Sequence, residues 1–376
     1  MRIVQVYKDY YPPTVGGIEQ TVERMARWCV ARGDEVTVLT SHPGQRRTVE
    51  ETVNGVRVIR VAEYARALST PLCPSMARHL ARLPADLHHL HYPNPTGELS
   101  WLAVRPRAPM VMTYHGDVIR QAAVMPFYGP FVHRVLAGAS VIMPSSENMI
   151  RRSKFLQAHR ERCRVVPLGI DLEPFLAADP GGAAATAMRA RYAGPIVLFV
   201  GRLVRYKGLH VLIEAMKEVQ ATLLIVGGGP ERAALEEQAR AAGIAERVVF
   251  PGRIEPREVP QWMAAADVGV LPSISPNESF GLSMIEMMGC GLPIVCTELG
   301  TGTSLVNQDG ESGYVVPPDD PPALAAALQR ILGDERLRRR LGDQARARAT
   351  RMFTTEAMMR QVAEVYATAT SKRRAA

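Results

Sequence analysis

The chain has 376 residues, 47% of them hydrophobic and 22% charged, and a formal net charge of +8. That length suffices for two domains with full cores, and the composition is that of an ordinary globular chain, not a disordered or fibrous one. Five cysteines (Cys29, Cys73, Cys163, Cys290, Cys296) form no CxxC pair, which argues for free thiols in a reducing compartment and against a disulfide framework. No apolar run reaches the length of a membrane span, and the N-terminus turns polar at Lys8 and Asp9, too early for a signal peptide. These features predict a cytoplasmic protein. The positive balance asks for an anionic partner: nucleotide, phospholipid or nucleic acid. Aromatics make up only 6% and do not interleave with the basic runs, so nucleic acid is not expected.

Strands and helices alternate along the chain, the pattern of doubly wound α/β domains. Residues 2–7 read as a strand, 18–32 as an amphipathic helix stopped by Gly33, and 35–40 and 56–61 as strands. Residues 87–91, 110–114 and 140–143 continue the series, and 165–171 reads as a short strand running into a turn. Residues 177–188 are small and flexible in composition, as in a linker. A second series follows: strand 196–200, helix 210–219, then strands 222–226, 248–250, 268–271, 294–296 and 313–316. The helix from Thr355 carries an apolar face of Met358, Met359, Val362, Val365 and Tyr366. The expected organisation is two Rossmann-like domains, 1–176 and 189–354, facing each other across a cleft, with 355–376 a terminal helix. Ligands of open α/β sheets bind beyond the carboxyl ends of the strands, so loops that follow strands carry the interest.

The densest such loop runs from Pro276 to Glu286, with carboxylates at Glu278 and Glu286 around the turn Ser279-Phe280-Gly281. Leu282 opens a helix there, and a helix N-terminus presents unpaired N–H groups and a partial positive charge to a phosphate. A phosphate, a sugar and a ribose fit in that small volume, which suggests a nucleotide-sugar site. After strand 196–200, Arg202 and Lys207 are cations in a loop closed by Gly208, suited to a departing diphosphate; a solvated basic turn is the plainer account. Gly16-Gly17 opens the first helix and permits close phosphate approach, or simply makes a tight turn. His115, at a strand end, either hydrogen-bonds a sugar hydroxyl or serves structurally. Gly227-Gly228-Gly229 lacks the full GxGxxG spacing and reads as a close-approach turn. His88, His89 and His91 fall on two faces of a strand, so no metal is expected there. Arg151, Arg152, Lys154, Arg160, Arg162 and Arg164, opposed only by Glu161, read as a face for an anionic membrane or as a solvated face; the mixed segment Val118–Tyr128 lies upstream. The cations of 336–351 and Lys372-Arg373-Arg374 read as solvated surface.

Together these segments resemble the retaining glycosyltransferases of family 4, which adopt the GT-B fold, and the likeness covers nearly the whole chain. Its most specific part is the Glu-x-Phe-Gly-x-x-x-x-Glu pattern of Glu278 to Glu286. The early Gly16-Gly17, His115, the loop from Gly201 to Gly208, and Val166-Pro167-Leu168-Gly169-Ile170-Asp171 support it, the last with Leu168 where the family usually has Asn. The stretch from Gly302 to Gly313 is similar to that of bacterial mannosyl- and rhamnosyltransferases that build surface polysaccharide. The resemblance implies transfer of a hexose from a nucleoside-diphosphate sugar, GDP-mannose or a related GDP-sugar, with UDP-glucose and UDP-N-acetylglucosamine as the alternatives. The implied acceptor is a glycan or polyprenol-linked glycan, and neither metal nor other cofactor is needed.

In the family's terms 1–176 is the acceptor domain and 189–354 the donor-binding domain, where Arg202 and Lys207 bind the diphosphate and Glu286 the ribose. Glu278 and the amides of Ser279, Phe280, Gly281 and Leu282 hold sugar and phosphates. Gly16 and Gly17 complete the phosphate site, His115 contacts the sugar, and Arg253 and Ile254 flank the base. The final helix is expected to pack on the N-terminal domain, and the protein to work in the cytoplasm, in peripheral contact with the inner face of the membrane. Three other readings compete. An epimerase is opposed by the two-glutamate pattern, an NAD oxidoreductase by the missing fingerprint, and a nucleotide-sugar binder without transfer activity by the full set of charged groups.

Overall fold

A computed structural model of the chain describes residues 1–14, 16–118, 122–192 and 194–374, except the side chains of 122 and 372–374. Ile119, Arg120 and Gln121 of the mixed segment, and the side chains of the basic tail, therefore lie outside the described residues. The chain forms two compact units, Met1–Gly169 with Thr355–Ala376, and Ile170–Thr354.

The first unit is built on β1 (Arg2–Val6), β2 (Glu35–His42), β3 (Val49–Val53), β4 (Val56–Ala62), β7 (Leu87–Tyr92), β8 (Met110–Tyr114) and β9 (Val141–Pro144), with a separate hairpin of β5 (Ala65–Ala67) and β6 (Thr70–Leu72). The sheet order is β3-β4-β2-β1-β7-β8-β9, and only the edge pair β3–β4 is antiparallel. Every residue of β7 and β8 is buried, as a parallel strand covered on both faces requires. Val4, Val6, Leu90, Met110 and Met112 belong to the core. The C-terminal helix Thr355–Arg374 packs on β7, β8 and the helix Gly17–Ala31.

The second unit has β10 (Ile196–Val200), β11 (Thr222–Val226), β12 (Val248–Gly252), β13 (Val268–Leu271), β14 (Ile294–Thr297) and β15 (Gly313–Val316). All are parallel, in the order β12-β11-β10-β13-β14-β15. Strand order reverses between β1 and β7 in one sheet and between β10 and β13 in the other. A crevice opens at the carboxyl ends where neighbouring connections diverge, and that is where such sheets take ligands.

Two expectations need correction, and three short strands were not foreseen. The small-residue run 177–188 is not a linker: Ala183–Arg189 is a helix of the second unit, with Ala185 buried against Ala264 and Ala265. Alanine is the best helix former, and its small side chain permits close packing. Residues 165–171 form no strand: the isolated bridge Ile142–Cys163 lies just ahead of them, Ile170 makes only an isolated bridge to Thr354, and Pro167 has no N–H for a ladder. The edge strand β3 and the hairpin β5–β6 escaped notice because both are short and largely exposed, without apolar alternation.

Candidate functional site

In the second unit the two loops at the strand-order reversal carry the predicted charges. After β10, Arg205–Lys207 forms a single 3-10 turn. After β13, the segment 272–281 runs to the helix Leu282–Gly289. The amide of Ile274 donates to the Tyr206 carbonyl at 2.9 Å and ties one loop to the other. Across that tie the Lys207 ammonium donates to Glu278 Oε2, which also accepts from Ser273 Oγ at 3.2 Å. Both charged side chains are nearly buried. Burial pushes the Lys207 pKa down, but the Glu278 carboxylate outweighs it and the net shift is upward. Arg202 is exposed and forms no ion pair among the described residues. The loop thus presents one neutralised cation, Lys207, and two exposed ones without an ion pair among the described residues, Arg202 and Arg205.

The Glu278–Leu282 turn is held from behind. Thr301 Oγ1 donates to the Glu278 carbonyl at 2.8 Å, and the Gly302 amide to the Ser279 carbonyl at 2.8 Å. Phe280 is buried edge-on to Phe353, with ring centroids 5.9 Å apart, so this residue can offer a ligand only its backbone. Gly281 caps the helix at φ +83, in the left-handed region that favours glycine, and an added Cβ would lie 2.6 Å from Met284. With the carbonyls fixed, the amides of Ser279, Phe280 and Gly281 donate to no protein acceptor among the described residues. Three successive free amides at a helix N-terminus suit an anion. Glu286 is half-buried on that helix.

Arg253 is exposed and packs over Gly228, while Ile254 is half-buried. Gly227–Gly229 is a close-approach turn whose neighbour is protein: an added Cβ at Gly227 would stand 1.9 Å from the Gly201 carbonyl oxygen. The triplet shapes the Arg202 loop from below.

Gly16, Gly17 and His115 belong to the first unit. Gly16 caps the helix Gly17–Ala31 in extended conformation, and a side chain there would meet Glu19. His115 is buried just past β8, with Nε2 3.1 Å from His91 Nδ1. The rings of His89, His91 and His115 form one stack, with successive centroids 4.2 and 5.4 Å apart. His89 closes it through Thr113 Oγ1 and the Tyr366 hydroxyl, each at 2.7 Å. Burial lowers His115 to about 3, so it is neutral near pH 7 and can offer a hydrogen bond but not a charge. Asp117 accepts from Ser153 at 2.7 Å and from Tyr114, which makes it structural. Among the described residues no cluster of three His, Cys, Asp or Glu could hold a metal ion.

Sequence reasoning missed Ser273 and Thr301 and took Gly302 only as the start of a family-like stretch, whereas all three set Glu278 and the turn. Ser273 lies two residues past β13, and that strand-end position was the available signal. It also missed Glu98, buried, accepting from the Asn94 amide at 2.6 Å and from the Tyr128 hydroxyl; burial raises its pKa to about 7. The basic face is more opposed than expected. Arg160 pairs with Glu147, and Arg164 with Glu364, in addition to Arg162 with Glu161. Arg151, Arg152 and Lys154 remain exposed and form no ion pair among the described residues.

Comparison with known proteins supplies the context. The family described as Glycosyl transferases group 1 matches residues 189–348, and a Glycosyl transferase 4-like domain matches 16–169. The chain is 32% identical over 370 residues to O-antigen chain mannosyltransferase C of Escherichia coli, covering 98% of each. It is 33% identical over 356 residues to D-rhamnosyltransferase WbpZ of Pseudomonas aeruginosa, covering 94% of this chain and 92% of that one. Among solved structures, the sucrose-phosphate synthase of Thermosynechococcus elongatus superposes with a TM-score of 0.81 at 26% identity, over 97% of this chain and 98% of the other. The fold of two Rossmann-like units is GT-B. No helix among the described residues is long and apolar enough to cross a membrane.

Proposed function

The chain belongs to the group 1 glycosyl transferases, and from that premise we propose that it moves a hexose from a nucleoside-diphosphate sugar to a glycan or lipid-linked glycan of a surface polysaccharide, with retention of configuration. The observation that carries the reading is the row of unpartnered amides at Ser279–Gly281 beside Arg202 and the Lys207–Glu278 pair. In this reading the amides and Arg202 take the diphosphate, whose charge grows as the glycosidic bond breaks. Lys207 shares its proton between Glu278 and the leaving oxygen, and Glu286 accepts from the ribose. Arg253 and Ile254 flank the base, Gly16 and Gly17 complete the phosphate site, and neutral His115 hydrogen-bonds the sugar. A front-face route, in which the departing phosphate helps deprotonate the acceptor, needs no carboxylate nucleophile.

The donor is read as GDP-mannose or a related GDP-sugar, because two relatives matched over nearly their full length are named a mannosyl- and a D-rhamnosyltransferase. A thermal-shift panel of GDP, UDP and their sugars tests this, since a ligand at 100 times its Kd stabilises by about 2.7 kcal/mol. Stabilisation by UDP-glucose but not by GDP-mannose overturns the donor assignment. The product's anomeric configuration, read by NMR, tests retention. Protein cations and helix amides serve as the electrophilic groups in this reading, so transfer is expected to survive EDTA. Loss of activity restored by manganese or magnesium would overturn the roles given to Arg202 and Lys207.

A further inference from the structure

The first unit contains a cavity of about 830 Å³ at its own strand-order reversal, with Lys8 following β1 and Pro93 and Pro95 following β7. The hairpin β5–β6 and the helices Met76–Arg82, Pro95–Val104 and Met125–Gly138 complete its walls. A volume of that size accommodates a substantial organic ligand. The walls are mostly apolar, and Lys8 is the only charged side chain among the lining residues described.

Two observations set this cavity apart. The large hydrophobic side chains most exposed among the described residues are Met1, Tyr64, Leu68, Leu72, Leu99, Val124, Phe127 and Phe131; Leu68, Leu72, Leu99 and Val124 all line it. Exposed apolar side chains gathered at one opening mark a site for an apolar partner. Lys8, moreover, is a half-buried cation without an ion pair among the described residues. Of the three carboxylates that act on it, Asp9 pairs with Arg66 at 2.7 Å and Glu98 accepts from Tyr128 and the Asn94 amide, while Glu19 forms no ion pair with Lys8 among the described residues. Burial lowers the Lys8 pKa, which is the cost of holding a cation there without a direct counter-ion. A sugar alone would leave these walls facing water and would not meet the charge.

We infer that the cavity seats the lipid of the acceptor: the apolar chain lies against Leu68, Leu72, Leu99 and Val124, and its phosphate is met by Lys8. This deepens the proposed function by making the acceptor a lipid phosphate, and it rests on that reading for the word acceptor. The binding itself can be tested without it.

The probes are geranylgeranyl phosphate, geranylgeraniol and inorganic phosphate, titrated below the critical micelle concentration with calorimetric detection. Wild type should bind the phosphorylated lipid at least tenfold more tightly than the alcohol and should not bind inorganic phosphate measurably. Lys8→Met should erase the difference between phosphate and alcohol, while Lys8→Arg keeps it. Leu72→Glu with Leu99→Glu, both at exposed positions, should weaken both lipids; each methylene withdrawn from water is worth about fourfold in affinity. Equal lipid binding by wild type and the double glutamate variant overturns the cavity assignment. An unchanged phosphate-to-alcohol ratio in Lys8→Met overturns the counter-ion. Unfolding midpoints and the Kd for GDP-mannose are measured on the same samples. If the lipid fails to bind while the donor still binds, this inference falls and the proposed function stands; if the donor fails and the lipid binds, the reverse holds.

Discussion

Lys207 and Glu278 form an ion pair in which the two side chains retain 12% and 10% of their exposure, joining the loops that follow β10 and β13. The bond sits where the strand order of the second sheet reverses, so one interaction both fixes the loop conformation and places charge in the crevice. Breaking a buried pair by removing one partner costs about 3–5 kcal/mol, whereas replacing both with apolar groups is often neutral. Lys207→Met or Glu278→Leu alone should therefore destabilise by that order in urea unfolding. The double variant should recover stability while transfer stays lost. If the double variant is as unstable as the singles, the pair is not the element that holds the loops.

The same pair sets an alkaline limit. Burial opposes the Lys207 charge, but Glu278 more than compensates and the folded pKa is raised. A raised pKa contributes stability that is fully present below the unfolded value of about 10.4 and is lost as pH rises through the folded value. Urea midpoints between pH 9 and 11.5 should fall more steeply for wild type than for the double variant. Parallel curves would mean that Lys207 contributes nothing through its charge.

Glu286 tests the ribose contact proposed for it. It is half-buried one helical turn beyond the Ser279–Gly281 amides. A hydrogen bond to a charged group is worth about 1.5–3 kcal/mol, so Glu286→Ala should weaken GDP binding roughly ten- to hundredfold in calorimetry. Arg202→Ala should instead lower kcat more than it raises KM, because the diphosphate proposed as its partner gains charge in the transition state. An unchanged Kd for GDP in Glu286→Ala removes that residue from the ribose.

Much of this was legible in the sequence because parallel strands buried on both faces are continuous apolar runs, and the ligand loops follow them directly. The segment 276–286 needed no tertiary information: glycine, glutamates and a helix start lie within eleven residues. What stayed hidden depends on register. His91 stands beside Thr113 across β7 and β8, and from there reaches His115; nothing in the spacing of the two segments fixes that alignment. Glu364 pairs with Arg164 across 200 residues of chain. The cavity wall on the hairpin β5–β6 was invisible for a related reason, since strands of three residues leave no periodicity to read.

The histidine stack should make the fold acid-sensitive. Burial lowers the stacked His89 and His115 to about 3 and His91 well below its ordinary value, and it lowers the neighbouring His88 to about 4. The unfolded chain takes up these protons near pH 6.5, and the folded chain does so only at lower pH, near 3–4 for His88, His89 and His115. Stability should therefore fall steadily as pH drops through that window. Tyr366 hydrogen-bonds His89, so loosening of the C-terminal helix should accompany the loss. His91→Leu removes one buried proton acceptor and should flatten the dependence of the urea midpoint between pH 7 and 4. If wild type is equally stable at both ends, these rings do not remain neutral in the fold.

The basic face gives a prediction about membranes. Three of its six cations are paired, with Glu147, Glu161 and Glu364, which leaves Arg151, Arg152 and Lys154 exposed to attract anionic lipid. Phe127 and Phe131 are exposed in the first unit as well, at 80% and 40%, with the Arg134 guanidinium over the Phe131 ring. Each Lys or Arg near an anionic surface contributes about 1 kcal/mol, and attraction is screened beyond about 10 Å at 0.1 M salt. Liposome sedimentation should show binding that rises with anionic lipid content and weakens sharply between 50 and 300 mM salt. Arg151→Glu, Arg152→Glu and Lys154→Glu together should abolish it while GDP-mannose still binds, because Arg202 and the Ser279–Gly281 amides belong to the other unit. Wild type that ignores anionic liposomes at low salt would make this a solvated face. Binding that persists in the charge-reversed protein would transfer the contact to Phe127 and Phe131, where Phe127→Ser with Phe131→Ser should remove it.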